Sequence, residues 1–112
     1  MAKFKDQVYL KHILEAILKI ESYIDGFSFK QFSQDNKTID AVVRELGIIG
    51  EAANNISKTF QKENPKIPWS KIISMRNFII HEYFGLDKPT VWRTCQKRLP
   101  ELKEQIRSIL KK

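Results

Sequence analysis

The sequence predicts an all-α fold, and three observations support this prediction. Apolar residues recur at steps of three and four over most of the 112-residue chain, which is the period of an amphipathic helix. No stretch alternates apolar and polar residues for long enough to predict a strand. Hydrophobic residues make up 42% and charged residues 29%, as in folded, soluble proteins. The length favours one domain that covers residues 1–112.

The first predicted helix covers about residues 6–24, and a short helix follows it. The apolar stripe of the first helix consists of Leu10, Ile13, Leu14, Ile17, Ile20 and Ile24. Gly26 offers a stop, because glycine readily adopts the conformation that ends a helix. Ser28 can cap the short helix, which would pack Phe29 and Phe32 against the bundle.

A long helix is predicted to begin at Asp35 or Asn36 and to continue until Pro65. Its apolar stripe consists of Ile39, Val42, Val43, Leu46, Ile49, Ala53, Ile56 and Phe60. Gly47 and Gly50 each cost up to ~1 kcal/mol relative to alanine in a helix. A close approach of another helix would account for both glycines, and that helix could belong to the same chain or to a second copy.

Two further helices complete the predicted bundle of four long helices plus a short one. The fourth covers about residues 68–83 and stops at Gly85. The fifth begins near Asp87 and Pro89, since proline suits a first helical turn. Pro100 should kink or restart this helix, because it lacks the N–H group that a helix interior needs.

Composition and cysteine usage exclude several classes of protein. No apolar run approaches the ~20 residues that cross a bilayer, and the charged N-terminal segment does not resemble a secretion signal. A single cysteine, Cys95, cannot form an internal disulfide, so we expect a cytoplasmic protein. His12 stands beside Lys11 and Glu15 with too few other ligands for a metal site. We therefore expect no metal. The chain also has no glycine-rich phosphate loop, which leaves nucleotide hydrolysis by a P-loop unsupported, and we expect no cofactor.

The positive charge is concentrated near the carboxyl terminus. The chain has a net charge of +7, and residues 88–112 hold eight lysines and arginines against two glutamates, a local excess of +6. Such a segment attracts phosphates through release of counterions, which predicts RNA contacts at Arg93, Lys97 and Arg98. A solvated, lysine-rich helix face would explain the same charge.

The fourth helix carries a line of polar residues although most of its faces are apolar. Ser70, Ser74, Asn77 and His81 recur at steps of four, three and four. Arg76 lies about 140° from His81 on an ideal helix, so the two converge only if Arg76 bends or a second copy supplies one of them. A histidine that takes a proton from a ribose hydroxyl and an arginine that binds phosphate suit metal-free RNA cleavage.

A structural interpretation of the same residues is also open. In it His81 is an interior histidine whose polar atoms are satisfied by neighbours. Arg76 then forms an ion pair with Glu82 or Glu45 and takes no part in chemistry.

The run RNFIIHEY, residues 76–83, resembles the Arg-x4-His-x-Tyr motif of the HepT-like branch of the HEPN superfamily. The similarity extends over nearly the whole chain, through DAVVRELGIIGEAANNI at 40–56, IPWSKIISMR at 67–76, YFGLD at 83–87, VW at 91–92 and LPELKEQI at 99–106. The arginine and histidine of this motif, taken alone, would be weak support for the resemblance to this family. Between the I-P-W and Y-F-G-x-D segments the motif is much more specific.

The resemblance implies a homodimeric, all-helical HEPN bundle that acts as a metal-independent endoribonuclease with its site at the dimer cleft. Carried over by position, His81 is the catalytic acid or base, Arg76 binds the scissile phosphate, and Asn77 and Glu51 support them. Relatives often have aspartate where this chain has Asn77. Such proteins are commonly toxins of a type VII-like pair, in which a small nucleotidyltransferase antitoxin silences the nuclease by AMPylation of the motif tyrosine, here Tyr83.

Two other functions are compatible with the same residues. The chain could be a non-catalytic helical dimer that binds RNA or nucleotides and partners a nucleotidyltransferase. It could also be a structural bundle with a solvated basic tail, although that leaves the polar line of the fourth helix unexplained.

Overall fold

The computed structural model describes residues 3–111, apart from the side chains of residues 82–84, and the described part is all-α with no strand. Its helical segments in chain order are α1 (Phe4–Tyr23), α2 (Phe29–Ser33), α3 (Asn36–Asn55), α4 (Lys58–Glu63), α5 (Trp69–Ile73), a 3-10 turn (Ser74–Asn77), α6 (Phe78–Phe84), α7 (Lys88–Arg93), a π turn (Thr94–Arg98) and α8 (Leu99–Leu110). The predicted fold class is therefore confirmed.

Helices α1 and α3 form the centre of the bundle and run antiparallel. Each contributes a stripe of fully buried side chains, represented by Leu10 and Ile17 on α1 and by Leu46 and Ile49 on α3. Helix α8 closes the core with buried Leu99, Leu102 and Ile106. Because burial of one such side chain contributes about 1.5–3 kcal/mol, this apolar contact is the main source of stability.

The starts of α2 and α3 follow the predicted caps. Ser28 and Gln31 form a reciprocal capping box, in which the Ser28 hydroxyl accepts from the Gln31 amide at 3.2 Å. The Asp35 carboxylate accepts from the Thr38 amide at 3.0 Å and begins α3. Both contacts satisfy amide groups that lack a partner within the first helical turn.

The prediction of one helix from Asp35 to Pro65 is wrong, because the chain breaks after α3. Ile56 has extended backbone (φ −71°, ψ 138°), and Ser57 then caps α4. Asp6 of α1 is 4% exposed, and its carboxylate accepts hydrogen bonds from the Ser57 amide at 2.9 Å and the Ser57 hydroxyl at 2.8 Å. This long-range contact lets Ile56 and Phe60 keep their predicted burial despite the break.

The two glycines of α3 mark a close approach within this chain. A Cβ atom at Gly50 would lie 2.6 Å from the Arg76 nitrogen and 2.7 Å from the Ile73 carbonyl oxygen. A Cβ atom at Gly47 would meet only the side chain of Ile79. The predicted close helix crossing is thus present, and it brings α3 against the α5–α6 segment.

The fourth predicted helix differs from a continuous α-helix. It consists of α5, the 3-10 turn and α6, and the 3-10 turn packs against α3 where Gly50 allows the approach. Its apolar residues are not all buried, since Ile79 and Ile80 are 44% and 57% exposed. Within the described part of α6, some apolar side chains therefore lie on the surface of this chain and not in its core.

The fifth predicted helix is interrupted where Pro100 requires it. Asp87 caps α7 by accepting from the Thr90 amide at 3.2 Å, and Pro89 lies in the first turn, as predicted. The π turn Thr94–Arg98 precedes Pro100, which occupies the first turn of α8. A wider turn accommodates a proline, because the proline ring and missing N–H disrupt regular α-helical bonding.

Across residues 3–111, no described helix is long and apolar enough to cross a membrane.

We predict that Gly50→Ala destabilises the protein by about 1–3 kcal/mol, because the new methyl group would press on backbone atoms that cannot rotate away. Urea unfolding monitored by circular dichroism measures the change. Gly47→Ala is the matched control: its methyl group meets the movable end of Ile79, and alanine gains up to ~1 kcal/mol in helix propensity. Equal stability of the two variants would contradict the assigned backbone contact.

Candidate functional site

Arg76 lies in the 3-10 turn and points toward α3. Its Nη1 atom lies 3.4 Å from Oε2 of Glu51, and the two side chains are 45% and 61% exposed. An ion pair so exposed contributes only ~0–1 kcal/mol to stability, so its main effect is to orient the guanidinium. Because Glu51 directly follows Gly50, the close helix approach also places the carboxylate beside Arg76.

The structural interpretation of Arg76 named other partners. Glu45 is buried and instead pairs with Arg44, with Nη1 and Oε2 2.8 Å apart, so Glu45 as the partner of Arg76 is wrong. The side chain of Glu82 lies outside the described residues. Arg76 does form an ion pair, but with the exposed Glu51 that the resemblance had marked as a supporting residue.

Asn55 is a contact of Glu51 that the sequence argument missed. Its Nδ2 group donates to the Glu51 backbone carbonyl at 2.8 Å and to Glu51 Oε1 at 3.4 Å. Glu51 is thus held between an amide on its own helix and Arg76 on the crossing segment. The spacing Glu-x3-Asn, one helical turn, is the signal that could have predicted this pair.

His81 is exposed on α6, so the interpretation of His81 as an interior histidine is wrong. It lines a cavity of about 270 Å³ together with Phe78, Gly85, Asp87 and Thr90. Gly85 ends α6 with a φ of +108°, a backbone conformation that side-chain-bearing residues rarely adopt. This turn brings the start of α7 back toward His81.

Asp87 is a second residue that the sequence argument did not assign to the site. Its Oδ2 accepts from the Thr90 hydroxyl at 2.7 Å, and this hydrogen bond, with that of the Thr90 amide, lowers the pKa of Asp87. The carboxylate that shares the cavity with His81 therefore keeps its negative charge to lower pH than an ordinary aspartate. The spacing Asp-x-x-Thr predicted only a helix cap.

The three residues that were predicted to contact RNA lie together in a second surface cavity, which we call the basic hollow. Arg93, Lys97 and Arg98 line a space of about 260 Å³ with Thr90, Thr94 and Glu101. Lys97 and Arg98 project from the π turn, and Arg93 donates to the Thr90 hydroxyl at 3.1 Å. Because Thr90 lines both hollows, the basic hollow adjoins the His81 cavity.

Arg76 and His81 face different elements of the structure. The 3-10 turn rotates by about 120° per residue instead of about 100°. Arg76 accordingly faces Glu51 on α3, whereas His81 lines the cavity beside α7. Asn77 is exposed between them. The side chain of Tyr83 lies outside the described residues, so the structure gives no geometry for it.

Potential metal ligands are dispersed in the described part of the chain, where no three His, Cys, Asp or Glu side chains lie close enough to hold one ion. His12 packs edge-on against Tyr9, with ring centroids 6.1 Å apart.

Comparison with known proteins identifies the family of this chain. The family model described as Ribonuclease HepT-like matches residues 13–109, and the chain belongs to this ribonuclease family. It is 42% identical over 104 residues to "Putative RNase TTE0752" of Caldanaerobacter subterraneus subsp. tengcongensis, covering 93% of each chain. It is also 42% identical over 103 residues to "Probable ribonuclease HepT" of Thermococcus cleftensis, covering 92% of this chain and 94% of the relative. No solved structure gives a significant match.

We predict that Cys95 is inert in the folded protein. It is buried in the π turn, and desolvation raises the pKa of its thiol to about 12, so only about one thiol in 10⁴ is ionised at pH 8. Iodoacetamide should therefore label Cys95 in urea but not under native conditions, as measured by intact mass. Native labelling at the rate of a small thiol would contradict the burial.

Proposed function

We propose that this member of the HepT-like family is a metal-independent endoribonuclease whose chemistry depends on Arg76 and His81. The observation that carries the proposal is that both motif side chains are exposed on the α5–α6 segment, where a core role would have buried them. The family match and the RNase names of the relatives agree with RNA as the substrate. We further propose that residues 1–112 act as one domain.

In the proposed reaction the RNA supplies its own nucleophile. The ribose 2'-oxygen forms a bond to the adjacent phosphorus, and its proton passes to the imidazole of His81. The bond to the leaving 5'-oxygen breaks as that oxygen takes a proton from solvent water, and His81 then returns its own proton to solvent. Histidine suits this transfer because imidazole gains and loses a proton near neutral pH. Arg76 would bind the phosphate as negative charge develops, with Glu51 orienting its guanidinium and Asn77 offering a further polar contact.

We propose that two copies of the chain assemble this site. Within one chain Arg76 and His81 face different elements, so neither completes the arrangement alone. Ile79 and Ile80, exposed on the helix between them, offer apolar surface of the kind that is covered in a homodimer. A two-fold axis near α6 would bring the Arg76 of one copy toward the His81 of the other.

The basic hollow supports a path for RNA toward the proposed site. Arg93, Lys97 and Arg98 present three positive charges, and Thr90 connects their hollow to the cavity of His81. We propose that this hollow binds phosphates of the strand next to the scissile one. Its contacts would position RNA without reading the sequence.

We also propose a control mechanism, which rests on the resemblance to HepT-like toxins. In it a nucleotidyltransferase antitoxin transfers AMP to the phenolic oxygen of Tyr83 in the cytoplasm. By the resemblance, the added phosphate and nucleoside would lie at the entrance to the same site. The phosphate could occupy the anion position of Arg76, and the nucleoside would block RNA by its volume.

We predict that His81→Ala lowers RNA cleavage by at least about 100-fold while the protein stays folded, because loss of a general acid or base typically costs 10²–10⁴-fold. Cleavage is measured on the purified protein in excess EDTA, where the wild type should remain active. Ser70→Ala, on the same polar line and exposed, is the matched control.

Wild-type-like cleavage by His81→Ala would refute the catalytic role of His81. Loss of wild-type activity in EDTA with rescue by magnesium would refute the metal-free reaction. An inactive but RNA-binding wild type would favour the non-catalytic dimer.

We predict that reversing Arg93, Lys97 and Arg98 to Glu weakens RNA binding and flattens its salt dependence by about two units of the log–log slope, at roughly 0.7 per lost contact with a single strand. Fluorescence anisotropy at several salt concentrations measures both effects. Reversal of Lys58, Lys62 and Lys66 changes the net charge equally at exposed positions outside this hollow. Equal losses in the two triple variants would mean that net charge alone attracts RNA.

We predict that Tyr83→Phe keeps at least part of the ribonuclease activity but resists silencing by the partner nucleotidyltransferase and ATP, because it lacks the acceptor oxygen. Intact-mass measurement should show AMP additions on the wild type and none on the variant. Silencing of the variant, or AMP on another residue, would place the control elsewhere.

A further inference from the structure

A shallow cleft between α1 and α3 adjoins the Arg76–Glu51 pair, because Glu51 belongs to both. It has a volume of about 200 Å³ and is lined by Tyr9 and His12 of α1 and by Ile48, Glu51, Ala52 and Asn55 of α3. A water molecule takes about 30 Å³ of liquid volume, so the cleft has room for several waters or for a flat ring. Nothing in the proposed reaction uses Tyr9, His12 or this space.

The walls of the cleft suit an aromatic ligand. The rings of Tyr9 and His12 meet edge to face, with an interplanar angle of 85° and centroids 6.1 Å apart. Because the two rings do not stack on each other, a planar ligand can still pack against one of them. His12 is exposed and Tyr9 is half-buried, so the pair is anchored on one side and open to solvent on the other.

Glu51 and Asn55 present hydrogen-bond acceptors to the cleft, whereas the Tyr9 hydroxyl and the His12 imidazole can donate as well as accept. Oε2 of Glu51 faces Arg76, and Oε1 accepts weakly from Asn55 at 3.4 Å, which leaves this oxygen able to accept a further donor. Since the Asn55 amide group is engaged with Glu51, its side-chain oxygen is the group left for a ligand. The Glu51 and Asn55 oxygens favour a ligand ring that carries an amino group.

The cleft is linked to the proposed reaction site by one carboxylate, that of Glu51. Glu51 contacts Arg76 on one side and lines the cleft on the other. In a nucleotide the base and the phosphate are separated only by one sugar. If a phosphate binds at Arg76, a neighbouring base would therefore lie close to the rings of Tyr9 and His12.

We infer that this cleft is a nucleobase subsite that selects a base with an exocyclic amino group, and that Tyr9, His12 and Asn55 are specificity-determining residues. The inference rests on the proposed ribonuclease function. Proteins commonly read unpaired RNA bases by stacking on tyrosine or histidine and by hydrogen bonds to the base edge. Stacking on one aromatic side chain contributes ~1–3 kcal/mol per base, which corresponds to roughly 5- to 150-fold in affinity.

Cytosine and uracil give the sharpest test, because cytosine has an amino group where uracil has a carbonyl oxygen. The substrates are DNA oligonucleotides with one ribonucleotide, in which the ribonucleotide base and then the next base are varied between the two. Wild-type protein should prefer cytosine at one of these positions by about tenfold or more, mainly through KM. Tyr9→Ala and His12→Ala should remove the preference and raise KM about tenfold, while kcat stays within about twofold.

Tyr23→Ala is the matched control, since Tyr23 is an exposed aromatic residue on the same helix outside the cleft. Asn55→Ala should also reduce the cytosine preference, whereas Asn54→Ala, exposed on the same helix, should keep it. A wild type that cleaves RNA with equal efficiency at both bases would overturn the subsite and leave the ribonuclease proposal intact. Retained preference in Tyr9→Ala and His12→Ala would overturn it as well.

A binding measurement decides the subsite even if the wild type cleaves no RNA, in which case the proposed function fails separately. Cytidine and uridine are titrated into the wild-type protein while NMR follows the ring protons of His12, with those of Tyr23 as the internal reference. Cytidine should shift the His12 signals at a concentration at least fivefold lower than uridine and leave the Tyr23 signals unchanged. Equal effects of the two nucleosides, or no effect at His12, would overturn the inference.

Discussion

The contact between Gly50 and the backbone of residues 73–76 determines where the polar residues of the candidate site lie. Only a residue without a side chain lets α3 approach the Ile73 carbonyl and the Arg76 amide so closely. The residue that follows, Glu51, then lies beside the Arg76 guanidinium, and Asn55 holds Glu51 from one turn away. A packing requirement within the core thus fixes the orientation of a charged side chain at the surface.

The elements that depend on local spacing were predictable from the sequence, and those that depend on distant contacts were not. Ser28 and Asp35 cap their helices as predicted, since a cap needs only residues three positions away. The end of α3 at Asn55 was missed, because Asp6 stabilises the break from the far end of α1. Similarly, the spacing of apolar residues predicts that a segment is helical. It does not distinguish an α-helical turn from the 3-10 turn found at Arg76.

The candidate site shows the same division. The polar line of the fourth helix marked His81, and the basic segment marked Arg93, Lys97 and Arg98, which line one hollow. Asp87 and Thr90 were missed as site residues because their spacing already had a complete explanation as a helix cap. Tyr9 was missed because it belongs to the apolar side of α1, and its cleft arises only when α1 packs on α3.

The buried contact between Asp6 and Ser57 links two points 51 residues apart in the chain. The Ser57 amide has its partner only when α1 has docked on α3, whereas the Phe60 amide finds the Ser57 hydroxyl within its own turn. Closure of so long a loop is entropically costly, so we expect this contact to form after the local helices. Hydrogen exchange at the Ser57 amide therefore reports the docking of two distant helices and is insensitive to the fraying of one helix end.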